Sequence, residues 1–188
     1  MKTITFKTAG IFCIMGLLAL SLRGFSQETK LTRQEMREVR KAQLAENFRI
    51  LDSLLNAKSF VLEADFLANK YGDRIVVTPN LNFIKLDKQT GILQTGSNSG
   101  FGYNGVGGVT AEGTVGGWRV FKDKKRMNYT VQFSLLTNIG NYDVSMLVSA
   151  DASARATITG LGPGKLTWEG HLETVGNSRV FKGRNTIG

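Results

Sequence analysis

The chain has 188 residues, a formal charge of +9, one cysteine and one histidine. That length supports one domain with a core of its own. The basic residues are scattered or lie in turns, so a dedicated nucleic-acid surface is not expected. Cys13 lies in an N-terminal apolar run, so the rest of the chain has no thiol for a disulfide, a nucleophile or a cysteine metal site.

Lys2 and Lys7 precede an apolar run from Ile11 to Leu22, and small residues follow at Gly24 and Ser26. This is the layout of a secretory signal peptide. The run is about 12 residues, against the roughly 20 that span a bilayer as a helix, so no transmembrane anchor is expected in the mature form. Cys13 follows Gly10, Ile11 and Phe12, which is not the small-residue setting of a lipidated cysteine. Cleavage is placed between Ser26 and Gln27. Losing Lys2, Lys7 and Arg23 lowers the formal charge to about +6 over about 162 residues. An exported chain of this size without thiols points to the periplasm or the extracellular side of a Gram-negative envelope. The expected organisation is a signal peptide over 1–26, an N-terminal helix over 27–58 and an antiparallel β domain over 59–188.

Residues 28–58 contain neither Gly nor Pro, and Thr32 with Glu35 has the spacing of a capping box. Leu44, Phe48, Leu51 and Leu55 recur at helical spacing, with Val39 as an extension towards the N-terminus. Such a face packs on the β domain, across an open end or edge, or serves a partner. The stripe is too short for several heptads of coiled coil.

From Ser59 the apolar period changes to two. Strands are predicted at Phe60 to Leu67, Leu81 to Leu86, Gly91 to Thr95, Val109 to Phe121, Met127 to Leu135, Tyr142 to Val148, Ala154 to Thr159 and Leu166 to Val175. Met127, Tyr129, Val131, Phe133 and Leu135 share one face, and Tyr142, Val144, Met146 and Val148 repeat the pattern with Leu147 on the polar side. The connectors are short and rich in turn residues, so neighbours pair as antiparallel hairpins. The expected fold is mainly β: an up-and-down barrel of about eight strands preceded by one amphipathic helix, with a β-sandwich as the alternative. Arg119-Val120-Phe121-Lys122 reappears as Arg179-Val180-Phe181-Lys182, which reads as two similar strand ends and not as a repeat architecture.

Gly100 to Gly105 matches G-x-G-x-x-G, yet a strand follows where a dinucleotide site needs a helix. The ten glycines between Gly91 and Gly117 mark turns and bulges, and Gly116-Gly117 in mid-strand marks a bend of the kind a barrel corner needs. Phe101, Tyr103, Asn104 and Trp118 are the candidate ligand-binding residues, because aromatics near a glycine-rich loop stack on a ligand or plug a barrel mouth.

His171 lies on the polar side of its strand with Glu169 and Glu173, the one grouping suited to acid–base work. A lone histidine without cysteine does not make a transition-metal site. No serine sits in a nucleophile elbow, and the acid pair Glu63 and Asp65 shares a polar strand face. The basic run Lys122, Lys124, Lys125 and Arg126 occupies a turn, where charge is ordinarily solvated. No catalytic residue, metal or cofactor is assigned.

Gly102-Tyr103-Asn104-Gly105-Val106-Gly107-Gly108, then Glu112-Gly113, Tyr129 to Phe133 and Gly140 to Val144 together resemble an exported Bacteroidota family catalogued as domain of unknown function 4251. The resemblance spans roughly Asn56 to Val175. It implies an envelope location and a compact barrel of the lipocalin type, and it carries no catalytic or binding residue. The expected role is non-enzymatic: binding a small apolar or amphipathic ligand, or acting as an interaction module. A structural or partner-binding envelope protein with a filled barrel, and a hydrolase of envelope polymers, are the alternatives.

Overall fold

The computed structural model describes residues 32–97, 107–160 and 162–186. Its first element is α1 (Arg33–Ala57). The Thr32 amide donates to Glu35 Oε2 at 2.7 Å and the Glu35 amide donates to Thr32 Oγ1 at 3.3 Å. This reciprocal pair satisfies amides that the first turn would leave without partners. The helix ends where Lys58 turns to φ 53 and its amide donates to the Leu55 carbonyl.

Nine strands follow: β1 (Ser59–Ala68), β2 (Arg74–Val76), β3 (Phe83–Asp87), β4 (Thr90–Gln94), β5 (Thr110–Asp123), β6 (Asn128–Thr137), β7 (Gly140–Ser149), β8 (Ser153–Gly160) and β9 (Gly162–Glu173). All pairings are antiparallel, and β1 pairs with both β3 and β9. That pairing closes eight strands into a barrel and excludes the sandwich. β2 is an extra strand, hydrogen-bonded to the end of β1 beyond the point where β3 stops. Three residues after a glycine turn are too short to show a period, which is why the sequence did not reveal it.

The barrel and the helix from Glu38 onward belong to one compact unit, Glu38–Gly188. The turns β3–β4, β5–β6 and β7–β8 lie at the end where α1 enters β1. Leu51 and Leu55 are buried at this end in the same core as Phe60, Leu86 and Tyr129, with Phe48 packed beside them. Leu44 is half-buried and Val39 is 54% exposed, so the buried stripe starts later than its spacing suggests. Burying the two leucines contributes about 3–6 kcal/mol. The Asp52–Lys122 ion pair at 2.9 Å is partly exposed and adds at most about 1 kcal/mol, so apolar contact holds the helix on the barrel.

Alternation of buried and wetter residues holds along β6 and β7, with Tyr129, Val131, Phe133, Leu135, Tyr142, Val144, Met146 and Val148 in the core. Met127 does not join them: it sits in the preceding turn at φ 53. The Gly116–Gly117 bend is a β-bulge, where the β5–β6 register shifts between Gly116 and Arg119. Ala111 and Val115 pack on the core before the bulge, and Trp118 and Val120 do so after it. One inserted residue therefore swaps the faces of β5. A second bulge, between Ala64 and Phe66, does the same to β1 against β9.

After β9 the chain forms a strap, residues 174–186, across the outside of β1, β3, β4 and β5. Val175 and Val180 cover Val61, Phe83 and Ile92, a small apolar cluster separate from the barrel core. The second Arg-Val-Phe-Lys tetrapeptide lies in this irregular strap and the first in β5, so they are not structural equivalents.

Candidate functional site

Among the described residues, the interior leaves little room for a ligand. Trp168, Tyr129, Phe60, Leu62, Ile84 and Met146 are among its fully buried side chains. At the end opposite α1, a cavity of about 10 Å³ lies between Leu93, Thr95, Val109, Ala111 and Trp168. The Trp168 indole nitrogen is buried with no hydrogen-bond partner among the described residues. A space of that size holds one water at most.

Phe101, Tyr103 and Asn104, with the G-x-G-x-x-G stretch from Gly100 to Gly105, lie outside the described residues. The described residues on either side of them are fixed. Asn82, fully buried, donates from Nδ2 to the Gly96 carbonyl at 2.9 Å and accepts the Gly96 amide at 3.0 Å. The Thr95 amide donates to the Val109 carbonyl. Trp118 lies towards the helix end: its ring is 5.6 Å from Phe133 and 6.3 Å from Phe60, with Lys58 Nζ 5.6 Å from its centroid. The bulge at Gly117 turns it inward, so it is partly buried against the core near the end of α1 and is not a neighbour of the described residues that flank 98–106.

The acid–base grouping is rearranged by the barrel. His171 Nε2 is 3.8 Å from Glu63 and its Nδ1 is 3.6 Å from Asp65, across the β1–β9 pairing. Glu63 also accepts a 2.6 Å hydrogen bond from Ser178 of the strap. Glu169 is instead held by Arg74 at 2.9 Å and Arg155 at 3.4 Å, with the Arg74 guanidinium 3.5 Å above the Phe66 ring. Asp65, Phe66, Arg74, Arg155 and Glu169 border an outer depression of about 390 Å³, in which both arginines are engaged by Glu169. Among the described residues no group of three or more His, Asp or Glu is placed to hold a metal.

The basic run is also divided. Lys122 reaches Asp52 and lies about 5 Å from the Phe48 and Tyr129 rings, while Asp123 accepts the Lys125 and Arg126 amides to form the turn. The hydrogen bond from Lys122 holds the Asp52 carboxyl below its usual range, and Asp52 raises Lys122 in return. Burial pushes the Tyr129 hydroxyl up.

A second outer groove, of about 370 Å³, crosses β5 to β8 beside the Gly116–Gly117 bulge. Two cross-strand rows build it. Arg119, Gln132, Ser145 and Thr157 are successive partners in one row, and Ser134, Asp143 and Thr159 in the next. Ser134 Oγ donates to Asp143 Oδ1 at 2.7 Å. Arg119, Gln132, Ser145, Thr157 and Thr159 make no side-chain hydrogen bond or ion pair among the described residues. Sequence reading passed over this groove because its residues look like the ordinary wet side of strands. The mid-strand glycine pair was the available signal.

A family model described as Domain of unknown function (DUF4251) matches residues 42–172. The chain belongs to this family. A crystal structure of a family protein from Bacteroides eggerthii is similar with a TM-score of 0.61 and 30% sequence identity, covering 74% of this chain and 96% of that one. Curated proteins provide no match. The family match agrees with the resemblance seen in the sequence. It includes α1 from Ala42 and nearly all of the barrel, while the strap lies beyond it.

Proposed function

We propose that this family member is an exported, non-enzymatic barrel that engages its partner or ligand from its outer surface and does not carry a ligand inside. The observation that carries the reading is the packed interior: a ligand pocket ordinarily offers about 300–1,000 Å³, against about 10 Å³ beneath the loop ends. Export rests on the positively charged, apolar and small-residue succession before Gln27. In addition, no helix among the described residues is long and apolar enough to cross a membrane. The non-enzymatic reading is supported by Glu169 being occupied by two arginines and by His171 lying between two carboxylates on an open face. Polar groups there do not converge on an enclosed cleft.

Native mass spectrometry of the protein purified from its own cell envelope tests this. The expected native mass is that of the chain beginning at Gln27, with nothing lost on denaturation. A reproducible extra mass that denaturation releases, accompanied by altered Trp168 fluorescence, overturns the reading in favour of an internal carrier.

A further inference from the structure

We propose that the outer groove across β5–β8 is a saccharide-binding site for one or two sugar units of a neutral glycan. This rests on the reading that the protein engages its ligand from outside, and it names the chemistry of that ligand. A barrel exterior is convex, and here a bulge breaks the curvature. A Cβ at Gly116 would meet nothing within 4 Å, and one at Gly117 only Ser134 Oγ at 3.8 Å. The φ of +61° accounts for glycine at 117. Crowding does not account for glycine at 116, where a side chain would meet open space.

The functional groups decide the ligand class. A guanidinium, a carboxylate, an amide and several hydroxyls face one depression, and among the described residues Arg119 and Gln132 have no side-chain partner to give up. Ser134 fixes one Asp143 oxygen and leaves the other to accept. Donors and acceptors in this mixture match a polyol, whose hydroxyls do both. A phosphate would be repelled by Asp143, and the apolar side chains in the lining, Phe133 and Val144, are buried in the core, so an apolar peptide finds little to dock on. Phe121 supplies the remaining element. It follows Arg119 by two positions on the same face of β5 and is 54% exposed, outside the core. It pairs with Thr130, one cross-strand row beyond Arg119 and Gln132, so an exposed ring lies on the strands beside the groove and offers a surface for the C–H face of a pyranose.

Amide chemical shifts of isotopically labelled protein, titrated with glucose, galactose, mannose, N-acetylglucosamine and their disaccharides, test the site. At least one sugar is expected to shift Gly117, Arg119, Gln132, Ser134, Asp143 and Ser145 saturably. Arg119→Ala should weaken binding about tenfold, and Ser145→Trp, an exposed strand position, should abolish it by filling the groove while the remaining spectrum stays dispersed. Isolated envelope polysaccharide broadening the same amides, and displaced by the free sugar, identifies a polymer as the source; shifts with free sugars alone identify a small saccharide. The absence of a saturable shift with every sugar overturns this proposal and leaves the outward-facing reading intact. Shifts centred on Leu93 and Trp168 that survive Ser145→Trp overturn both.

Discussion

Gln94 Oε1 accepts the amide of Gly183 at 2.7 Å, joining residues 89 positions apart. The same fully buried side chain accepts from Thr110 Oγ1 at 2.9 Å and donates to the Phe181 and Leu81 carbonyls at 2.8 and 3.2 Å. All four hydrogen-bonding positions of the amide are used, so one residue of β4 fastens the strap to the barrel wall. Gln94→Leu removes all four of these hydrogen bonds, two of them to the strap, and the chain relieves this by letting the strap peel into water. The expected result is a loss of about 2–4 kcal/mol in urea unfolding and rapid tryptic cleavage at Lys182 and Arg184. Unchanged protease resistance would show that apolar contacts suffice to hold the strap.

Acid should release the same segment. The hydrogen bonds from Lys182 and then Asn185 hold the Glu112 carboxyl below its usual range. Because the folded value lies below the unfolded one, the stabilisation is complete above the ordinary glutamate range. It fades as pH falls through the lowered value. Hydrogen exchange at the Gly183 and Thr186 amides should accelerate over that interval beyond the rate set by pH alone, ahead of exchange in β6 and β7. In Glu112→Gln that extra acceleration should be absent.

Tyr129 ties α1 to β6: its hydroxyl donates to the Phe48 carbonyl at 2.9 Å and lies 3.1 Å from Asp52 Oδ1, and the two rings are 4.6 Å apart. Tyr129→Phe keeps the ring contact and loses the hydrogen bond, a cost of about 1 kcal/mol. Leu55→Ala removes a fully buried side chain and should cost about 2–5 kcal/mol. Urea midpoints of the two variants check this order, and a reversal would mean that the polar link dominates helix docking.

Gly170 sits where β1 crosses β9, and a Cβ there would lie 1.8 Å from the Glu63 carbonyl oxygen. The obstacle is backbone in the pairing that closes the barrel, next to the bulge at Asp65. Gly170→Ala should therefore cost about 3 kcal/mol, the upper end for overpacking. Gly116→Ala, which meets open space, should leave the urea midpoint nearly unchanged and serves as the comparison.

Much of this architecture is legible in the residues themselves. Tyr129 to Leu135 and Tyr142 to Val148 announce half-buried strands by strict alternation, and Thr32 with Glu35 announces the helix start by chemistry acting across three residues. Trp118 was not legible in the same way. Its face depends on an inserted residue at Gly117, and a period of two cannot be followed through a bulge without knowing the register of the partner strand. Glu169 and His171, two residues apart, turned out to have separate partners on other strands. The strap was missed for a related reason: the alternation was read on to Val175, whereas β9 stops at Glu173, and the burial of Val175 and Val180 comes from the wall they cover.

The sequence by itself determined the elements and the class: one amphipathic helix, strands joined by short turns, and apolar faces that must close on a common interior. Those follow from interactions between residues close along the chain and from the period of apolar side chains. Only the tertiary structure decided how the described side chains pack the interior, that the tail is latched by Gln94, and that seven ordinary polar residues share one groove. These depend on strand register and bulge position, which set contacts between residues far apart in the chain, and local periodicity carries no record of them.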